Sequence, residues 1–320
     1  MGISLQDAQQ IYSNAGLRTQ YGLVLPPGAR VAAFVRSTGV QNGDDAFLAT
    51  NLVPTLAQGL ARVRSGMGDF VVCLPGHVEN VDATMSAAFA AALLPGTKIV
   101  GVGRGNNAPT FTWTNTAGSL VIAQNDVLIA GLRLLTAGPA ATGTNTVLAI
   151  TVSGNDFGFF QNELEVGNGL ANAITVLSVT GTAGRYDISG NVFRGANSAN
   201  TVTILINSTG GDGRICDNEI MSGATSATGN INVIAVAARL KILRNVINNI
   251  TAGSVAAIAL GNVAISGQCA YNTITVLSTG ASVSGTTGIT IGAAVTMGFF
   301  QNFIVNDPLA SGKLLPTVDT

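Results

Sequence analysis

The apolar residues of this chain fall in short runs that are rich in Val, Ile and Leu and are bounded by Gly, Asn and Thr. Val202–Ile206 and Ile231–Val236 are typical of these runs. Short runs of β-branched residues between turn residues predict strands, because branched side chains pack well on a pleated surface. The hydrophobic pattern therefore predicts an all-β fold.

A second pattern, Φ-x-x-Asn-x-Φ with Φ an apolar residue, repeats through the second half of the chain. Its first copy is Phe159–Leu164 and its last copy is Phe299–Ile304. Successive copies are 29, 27, 27, 27 and 30 residues apart, and they place asparagine at Asn162, Asn191, Asn218, Asn245, Asn272 and Asn302. A repeat of this length that holds two or three short strands is typical of one coil of a parallel β-helix.

The repeat frame continues upstream with an aliphatic residue in place of asparagine, as in Ile129–Leu134. Counting these copies predicts a single right-handed parallel β-helix of about eight rungs. Rungs stack ~4.8 Å apart, so residues one repeat apart form columns. We expect each asparagine at a bend, in the left-handed conformation, with its amide bonded to the copies above and below. A buried amide without such partners would be costly, so the column is expected to be structural.

Short helices are predicted near the N-terminus, where the open end of a β-helix needs a cover. Residues 54–66 begin with Pro and end with Gly, and residues 82–93 begin at an aspartate and stop before Pro95. The β-helix, with these cap segments, is expected over residues 29–306.

The segments that flank the β-helix are expected to be an N-terminal arm, residues 1–28, and a C-terminal tail, residues 307–320. Residues 4–15 predict a third helix. Its apolar stripe includes Leu5, Ile11 and Tyr12. This helix either folds back on the rungs of its own chain or anchors the arm to a partner protein.

Composition adds one fact, the scarcity of charge. Hydrophobic residues make up 47% of the chain and charged residues 10%, and the net charge is −1 at pH 7. No basic run is present, which argues against nucleic-acid binding, and no apolar stretch reaches the ~18 residues of a membrane span. A surface so poor in charge predicts that some apolar exterior is buried against another subunit.

Cysteine and histidine usage offers little for a metal site. Cys73, Cys216 and Cys269 are far apart and no CxxC spacing occurs, so zinc and redox sites lack their pattern. His77 and Glu79 could contact a metal, but with a single histidine in the chain a loop role is favoured. No cofactor or metal is predicted. The N-terminus has neither the basic nor the apolar region of a secretory signal, which favours synthesis in the cytoplasm.

The segments Gly68–Glu79 and Thr97–Gly103 resemble the opening rungs of the pectate-lyase-like superfamily of parallel β-helices, with a strand, a Pro-Gly turn and a Gly-rich rung. The resemblance covers residues 30–306 as architecture. Its motifs specify the fold and not a reaction: the aspartate clusters and Arg-x-Lys motif of the enzymes in this superfamily do not occur here. Asn155–Phe160 loosely resembles a methylesterase strand whose partner motifs are missing.

One group of carboxylates is a candidate for catalysis. Glu163 and Glu219 share the position after the asparagine and lie two rungs apart, roughly 10 Å, with Asp217 nearby. An inverting glycosidase needs carboxyls about 6.5–9.5 Å apart. The chain could therefore be a phage tailspike or a secreted polysaccharide lyase or hydrolase, although few aromatic residues flank the pair.

In size, small polar composition and lack of a signal, the chain also resembles the β-helix proteins of bacteriophage virions. This resemblance implies a homotrimeric structural protein, without enzymatic activity, that decorates or cements a capsid. The partner would be the major capsid protein or another virion protein, with no nucleic-acid or membrane partner. The chain would be made in the host cytoplasm and reside on the virion surface. An adhesive or ice-binding surface would need a regular Thr or Ser column, and the strands contain no clean one.

Overall fold

The structure is a computed structural model. It describes residues 28–41, 46–103, 105–115, 117–136, 149–166, 175–195, 202–222, 229–249, 256–261, 263–276, 287–306 and 315–316. The predicted anchor residues Leu5, Ile11 and Tyr12, the arm before Gly28 and most of the C-terminal tail lie outside the described residues.

The described strands form three sheets. The first sheet contains, in spatial order, β2 (Leu52–Val53), β1 (Val31–Val35), β3 (Phe70–Cys73), β5 (Lys98–Gly101), β8 (Leu128–Ala130), β11 (Gly158–Phe160), β14 (Asp187–Ser189), β17 (Arg214–Cys216), β20 (Ala237–Leu243), β23 (Ile265–Ala270) and β26 (Val295–Phe300). The second sheet contains β25 (Thr287–Ile291), β22 (Ala256–Leu260), β19 (Ile231–Val233), β16 (Val202–Ser208), β13 (Thr175–Gly181), β10 (Ile150–Val152) and β7 (Leu120–Ile122). The third sheet contains β28 (Leu315–Pro316), β27 (Phe303–Asn306), β24 (Thr273–Val276), β21 (Val246–Asn249), β18 (Glu219–Ser222), β15 (Val192–Gly195), β12 (Glu163–Val166), β9 (Arg133–Thr136), β6 (Thr110–Trp113) and β4 (Val78–Val81).

These sheets are the three sides of a parallel β-solenoid. From β7 to β27 each turn of the chain adds one strand to the second sheet, then one to the first and one to the third. Neighbouring strands pair in parallel, and the described exception is β28, which pairs antiparallel with β27. The predicted all-β parallel β-helix is confirmed at this level.

The strand registers reproduce the repeat frame of the sequence. In the first sheet, one buried column consists of Phe159, Ile188, Ile215, Ile242 and Cys269. In the third sheet, a matching column consists of Leu164, Phe193, Ile220, Ile247 and Ile274. Both columns belong to one hydrophobic core that runs along the inside of the solenoid. Each turn therefore buries its apolar residues against the turns above and below it.

Three helices lie near the N-terminal end: α1 (Ala46–Asn51), α2 (Leu56–Leu60) and α3 (Ala83–Ala92). A 3-10 turn follows at Gly105–Asn107. The helix α3 begins after Asp82, whose carboxylate accepts a hydrogen bond from the Met85 N–H. The predicted segment 54–66 contains only the short α2, which begins after Thr55. Leu60 of α2 and Phe89 of α3 join the solenoid core, so these helices close its N-terminal end.

Candidate functional site

The six asparagines of the repeat form a buried column on the inside of the solenoid. Asn191 represents the pattern: its backbone N–H and its Nδ2 both donate to Oδ1 of Asn218, each at 3.0 Å. Its Nδ2 also donates to the carbonyl oxygen of Phe159 in the preceding turn, at 2.8 Å. The same bonds join each asparagine to the next, from Asn162 through Asn191, Asn218, Asn245 and Asn272 to Asn302.

The column starts at Asn162, whose Oδ1 accepts the N–H of Leu132 at 3.0 Å. Upstream turns have an aliphatic residue at this position. Within the column, every Oδ1 accepts and every Nδ2 donates, so the amides satisfy one another and neighbouring backbone groups. This use leaves none of them available to a ligand, and it stabilises the bend that joins the first sheet to the third.

The bend itself corrects one expectation. The asparagines do not adopt the left-handed conformation; the residue before each of them does. The φ angle is 57° at Asp217, 54° at Arg244 and 59° at Tyr271, and the same is found at Gly131, Gln161, Gly190 and Gln301. The N–H of Asp217 donates to the carbonyl oxygen of Leu243 in the next turn, at 3.0 Å, so the left-handed residue makes the corner without losing its backbone bond. The asparagine that follows can then direct its amide inward.

A second left-handed column lies at the corner between the second and first sheets and consists of Asp126, Asp156, Arg185, Asp212 and Arg239. Arg185 binds both carboxylate oxygens of Asp156 at 2.6 and 2.7 Å, and Arg239 binds Asp212 at the same distances. These guanidinium hydrogen bonds lower the pKa of Asp156 and of Asp212. We call this the arginine–aspartate ladder.

The arginine–aspartate ladder was not predicted from the sequence, although the spacing of its charged residues contains a signal for it. Its members recur at the spacing of the asparagines, with 29 residues between Asp156 and Arg185 and 27 between Asp212 and Arg239. Opposite charges at one repeat offset meet in adjacent rungs. A search for periodic charge would have found them.

The candidate catalytic carboxylates lie on and beside the third sheet. Glu163 pairs with Val192 and Val192 with Glu219, so the two glutamates share an outer column with one valine between them. Glu163 forms an ion pair with Arg194 at 3.0 Å. Glu219 has no ion pair among the residues that the structure describes.

The third member of the candidate group, Asp217, is placed elsewhere. It occupies the left-handed corner, where Arg244 of the next turn binds both of its carboxylate oxygens at 2.7 and 2.8 Å. The structure therefore brings Glu163 and Glu219 to one face of the third sheet. Asp217 instead forms an ion pair with Arg244 at the corner between the first and third sheets. Such pairs are an ordinary way to neutralise exposed charge.

His77 and Glu79 are engaged with each other. The buried imidazole accepts the Ser37 N–H at Nδ1, at 3.1 Å, and its Nε2 is 3.1 Å from Glu79 Oε2. Because Nδ1 accepts a hydrogen bond from a backbone amide, the proton of the neutral ring lies on Nε2 and is donated to Glu79. Glu79 Oε2 also accepts the Leu56 N–H, at 2.8 Å, at the start of α2. These two side chains join the first turns to the helical cap.

Asp69 joins β3 to the segment before β1 and to the loop after α2, through hydrogen bonds with Arg30 and Arg64. Its fully buried carboxylate accepts hydrogen bonds from the Arg64 guanidinium at 2.6 and 2.9 Å and from the backbone N–H groups of Arg64 and Arg30. Burial opposes the ionisation of this group, but the hydrogen bonds from Arg64 and Arg30 outweigh it. The pKa of Asp69 is therefore lowered.

The cysteines have no reactive environment. All three are buried and free. Burial raises the pKa of Cys269 to about 12 and also raises that of Cys73 and Cys216, so the thiolate form that reacts or binds metal is disfavoured. Within the described ranges, no group of three or more His, Cys, Asp or Glu side chains could hold a metal ion.

Among the same residues, no helix is both long and apolar enough to span a bilayer. The fold is a parallel β-solenoid, consistent with a β-helix superfamily. No family model, curated protein or solved structure significantly matches the chain.

Proposed function

We propose that this chain is a structural protein of a bacteriophage virion, a homotrimer that decorates or cements the capsid. The observation that carries the proposal is that the polar clusters are bonded within the chain, whereas large apolar side chains are exposed on its surface. The asparagine column, the arginine–aspartate ladder and the His77–Glu79 pair are bonded within the chain. Large apolar side chains are exposed instead, among them Tyr271, Phe300 and Phe303. Such an exterior is suited to binding other proteins and not to catalysis.

The architecture proposed for this role is a right-handed, pectate-lyase-like β-helix of about eight rungs. Right-handed winding is supported by the strong preference of parallel crossover connections for that hand. Eight rungs at ~4.8 Å give a rod of roughly 40 Å. The continuous hydrogen-bonded columns inside it make the rod stiff, which is useful in a protein that links capsid subunits.

Attachment to the capsid is assigned to the N-terminal arm, residues 1–28. Its stripe of Leu5, Ile11 and Tyr12 has the spacing of one helix face, which fits a groove on the major capsid protein. Gly28, the described residue of this segment, precedes β1 at the end of the solenoid that α2 and α3 close. The chain would be made in the host cytoplasm and reside on the virion surface.

A pelleting assay tests this proposal. Capsids that lack the chain are mixed with the intact protein, with a deletion of residues 1–28, or with the triple variant L5S, I11S, Y12S. Pelleting of the intact protein alone, with unchanged circular dichroism for both variants, is the expected result. Failure of the intact protein to pellet would contradict the capsid role. Pelleting of the deleted chain at the level of the intact protein would contradict the arm's role.

A second candidate function, a phage tailspike or secreted polysaccharide lyase or hydrolase, has one observation in its favour. Glu163 and Glu219 share an outer column of the third sheet. We rank it below the structural role because two of the three candidate carboxylates already form ion pairs, Glu163 with Arg194 and Asp217 with Arg244.

A further inference from the structure

Charge is distributed unevenly along the axis of the solenoid. Residues 245–306 contain no Asp, Glu, Lys, Arg or His. They include the last three strands of the third sheet's parallel part, β21, β24 and β27, together with β22 and β25 of the second sheet and β23 and β26 of the first. The uncharged region therefore extends around all three sides of the last turns. We call these residues the uncharged turns.

The uncharged turns also carry the exposed aromatic side chains. Tyr271 is 52% exposed, Phe300 46% and Phe303 50%, and no other aromatic residue in the described part of the chain is exposed to this degree. Val246, in the same outer column as Phe303, is exposed as well. Upstream turns place Glu163 and Glu219 in this column instead, so the outer surface changes from charged to apolar along one side of one sheet.

The second sheet extends the uncharged surface upstream. Its seven strands contain no charged residue. Its described outer column runs through Val121, Thr151, Ser178, Leu205, Asn232, Ala259 and Thr290. Val121 is exposed and so is Ile234, at the end of the same face. The column contains no regular series of threonines.

We infer that a second copy of this chain packs side by side against the uncharged turns and the second sheet, which gives the interface of the proposed homotrimer and rests on that proposed function. A surface without charge offers nothing to attract a charged partner, whereas another copy presents an equally uncharged surface and loses little hydration on contact. Aromatic side chains are the usual anchors of such contacts.

The area available is sufficient for a stable contact. Seven strands at ~4.8 Å and a width of about 20 Å give roughly 600 Å² on the second sheet. The outer surfaces of the first and third sheets in the uncharged turns add an area of about the same size. Divided between the two neighbours that three-fold symmetry requires, this area gives about 600 Å² per contact, which is the lower end of the range for specific interfaces.

A lipid surface fits the same residues less well. Gln268, Thr273 and Gln301 are exposed between the aromatic side chains. These amides and hydroxyls would lose hydrogen bonds to water in hydrocarbon, whereas groups on a second copy can replace those bonds.

The matched variants T273K and V192K test the inference, because both residues lie in one outer column of the third sheet. Thr273 is in the uncharged turns, whereas Val192 is between Glu163 and Glu219. A lysine at position 273 would be buried without a partner, so association should weaken about 100-fold. A lysine at position 192 would face the two glutamates and solvent, so V192K should assemble like the natural chain. Analytical ultracentrifugation over a range of concentrations measures both, and circular dichroism verifies folding.

Equal assembly of T273K and the natural chain would overturn the inference and leave the proposed oligomer intact. A natural chain that is monomeric at every concentration would overturn both. Flotation of the natural chain with phosphatidylcholine vesicles would overturn the inference in favour of a lipid contact.

Discussion

Asn191 and Asn218 lie one turn apart, and the backbone N–H and Nδ2 of Asn191 share the single Oδ1 of Asn218, at 3.0 Å each. The repeat of 27 residues that separates them brings these atoms together without any change of register. The buried column therefore fixes the register between turns at the bend, since a shifted turn could not satisfy the amides. The length of a turn can still vary elsewhere, from 27 to 30 residues between successive asparagines.

The N218A variant should destabilise the fold markedly. It would leave two donors of Asn191 and the carbonyl oxygen of Ile188 without partners in the core. We expect a loss of about 2–4 kcal/mol in the free energy of unfolding, measured by denaturant titration. The matched control is N80A, at an exposed position of β4 outside the uncharged turns, which should cost less than about 0.5 kcal/mol. Equal losses for the two variants would contradict the role of the column.

The left-handed corner predicts the effect of a substitution at Gly190. Its φ is 67°, and an added Cβ would meet its nearest neighbour, the Gln161 side chain, at an ordinary 3.6 Å. The cost of G190A therefore comes from the backbone conformation and not from a clash, and it should be about 1 kcal/mol. G190N should lose less, because asparagine tolerates this conformation better. A G190A variant as stable as the natural chain, by thermal denaturation, would argue against the assigned bend.

Acid should weaken the N-terminal end of the solenoid through Asp69. Because its pKa in the folded chain is lowered from the ordinary 3.8, the stability it contributes is present above that value and is lost as the pH falls through the lower, folded-state pKa. The D69N variant should be less stable than the natural chain by about 1–2 kcal/mol at pH 7. The difference should shrink as the pH falls below 3.8. Denaturant titrations at a series of pH values measure it, and a difference that grows in acid would contradict the assignment.

The carboxylates of the third sheet provide a direct test of the enzymatic alternative. The structural role predicts that the purified chain releases no oligosaccharide from host surface glycans, and that E163Q and E219Q behave like the natural chain in capsid pelleting. Chromatography of glycan digests is the measurement. Release of product that either substitution abolishes would establish the polysaccharide-degrading function instead.

The periodic part of the fold could be predicted from the sequence, and the corners only in part. The spacing of Asn162, Asn191 and Asn218 defines the solenoid because stacked turns must repeat their inner columns. The left-handed residue could not be placed with the same certainty, since Gln161, Asp217 and Tyr271 share no side-chain chemistry. Only Gly131 and Gly190 give a signal there, because glycine adopts the left-handed conformation freely.

The candidate sites were harder to predict, because pairing depends on side-chain direction as well as on repeat offset. Glu163 and Glu219 share a face as the offset predicted, with Val192 between them. Asp217 is only two residues from Glu219, yet the corner turns it toward Arg244. The burial of His77 between Ser37 and Glu79 joins parts of the chain about 40 residues apart, and no local pattern reports it.

Immunogold electron microscopy of native virions tests the central claim most directly, with antibodies raised against the exposed arginine–aspartate ladder around Arg185 and Arg239. A capsid-decorating trimer predicts gold particles spread over the head at regular lattice positions. Label restricted to the tail, or its absence from purified particles, would contradict a structural role on the capsid.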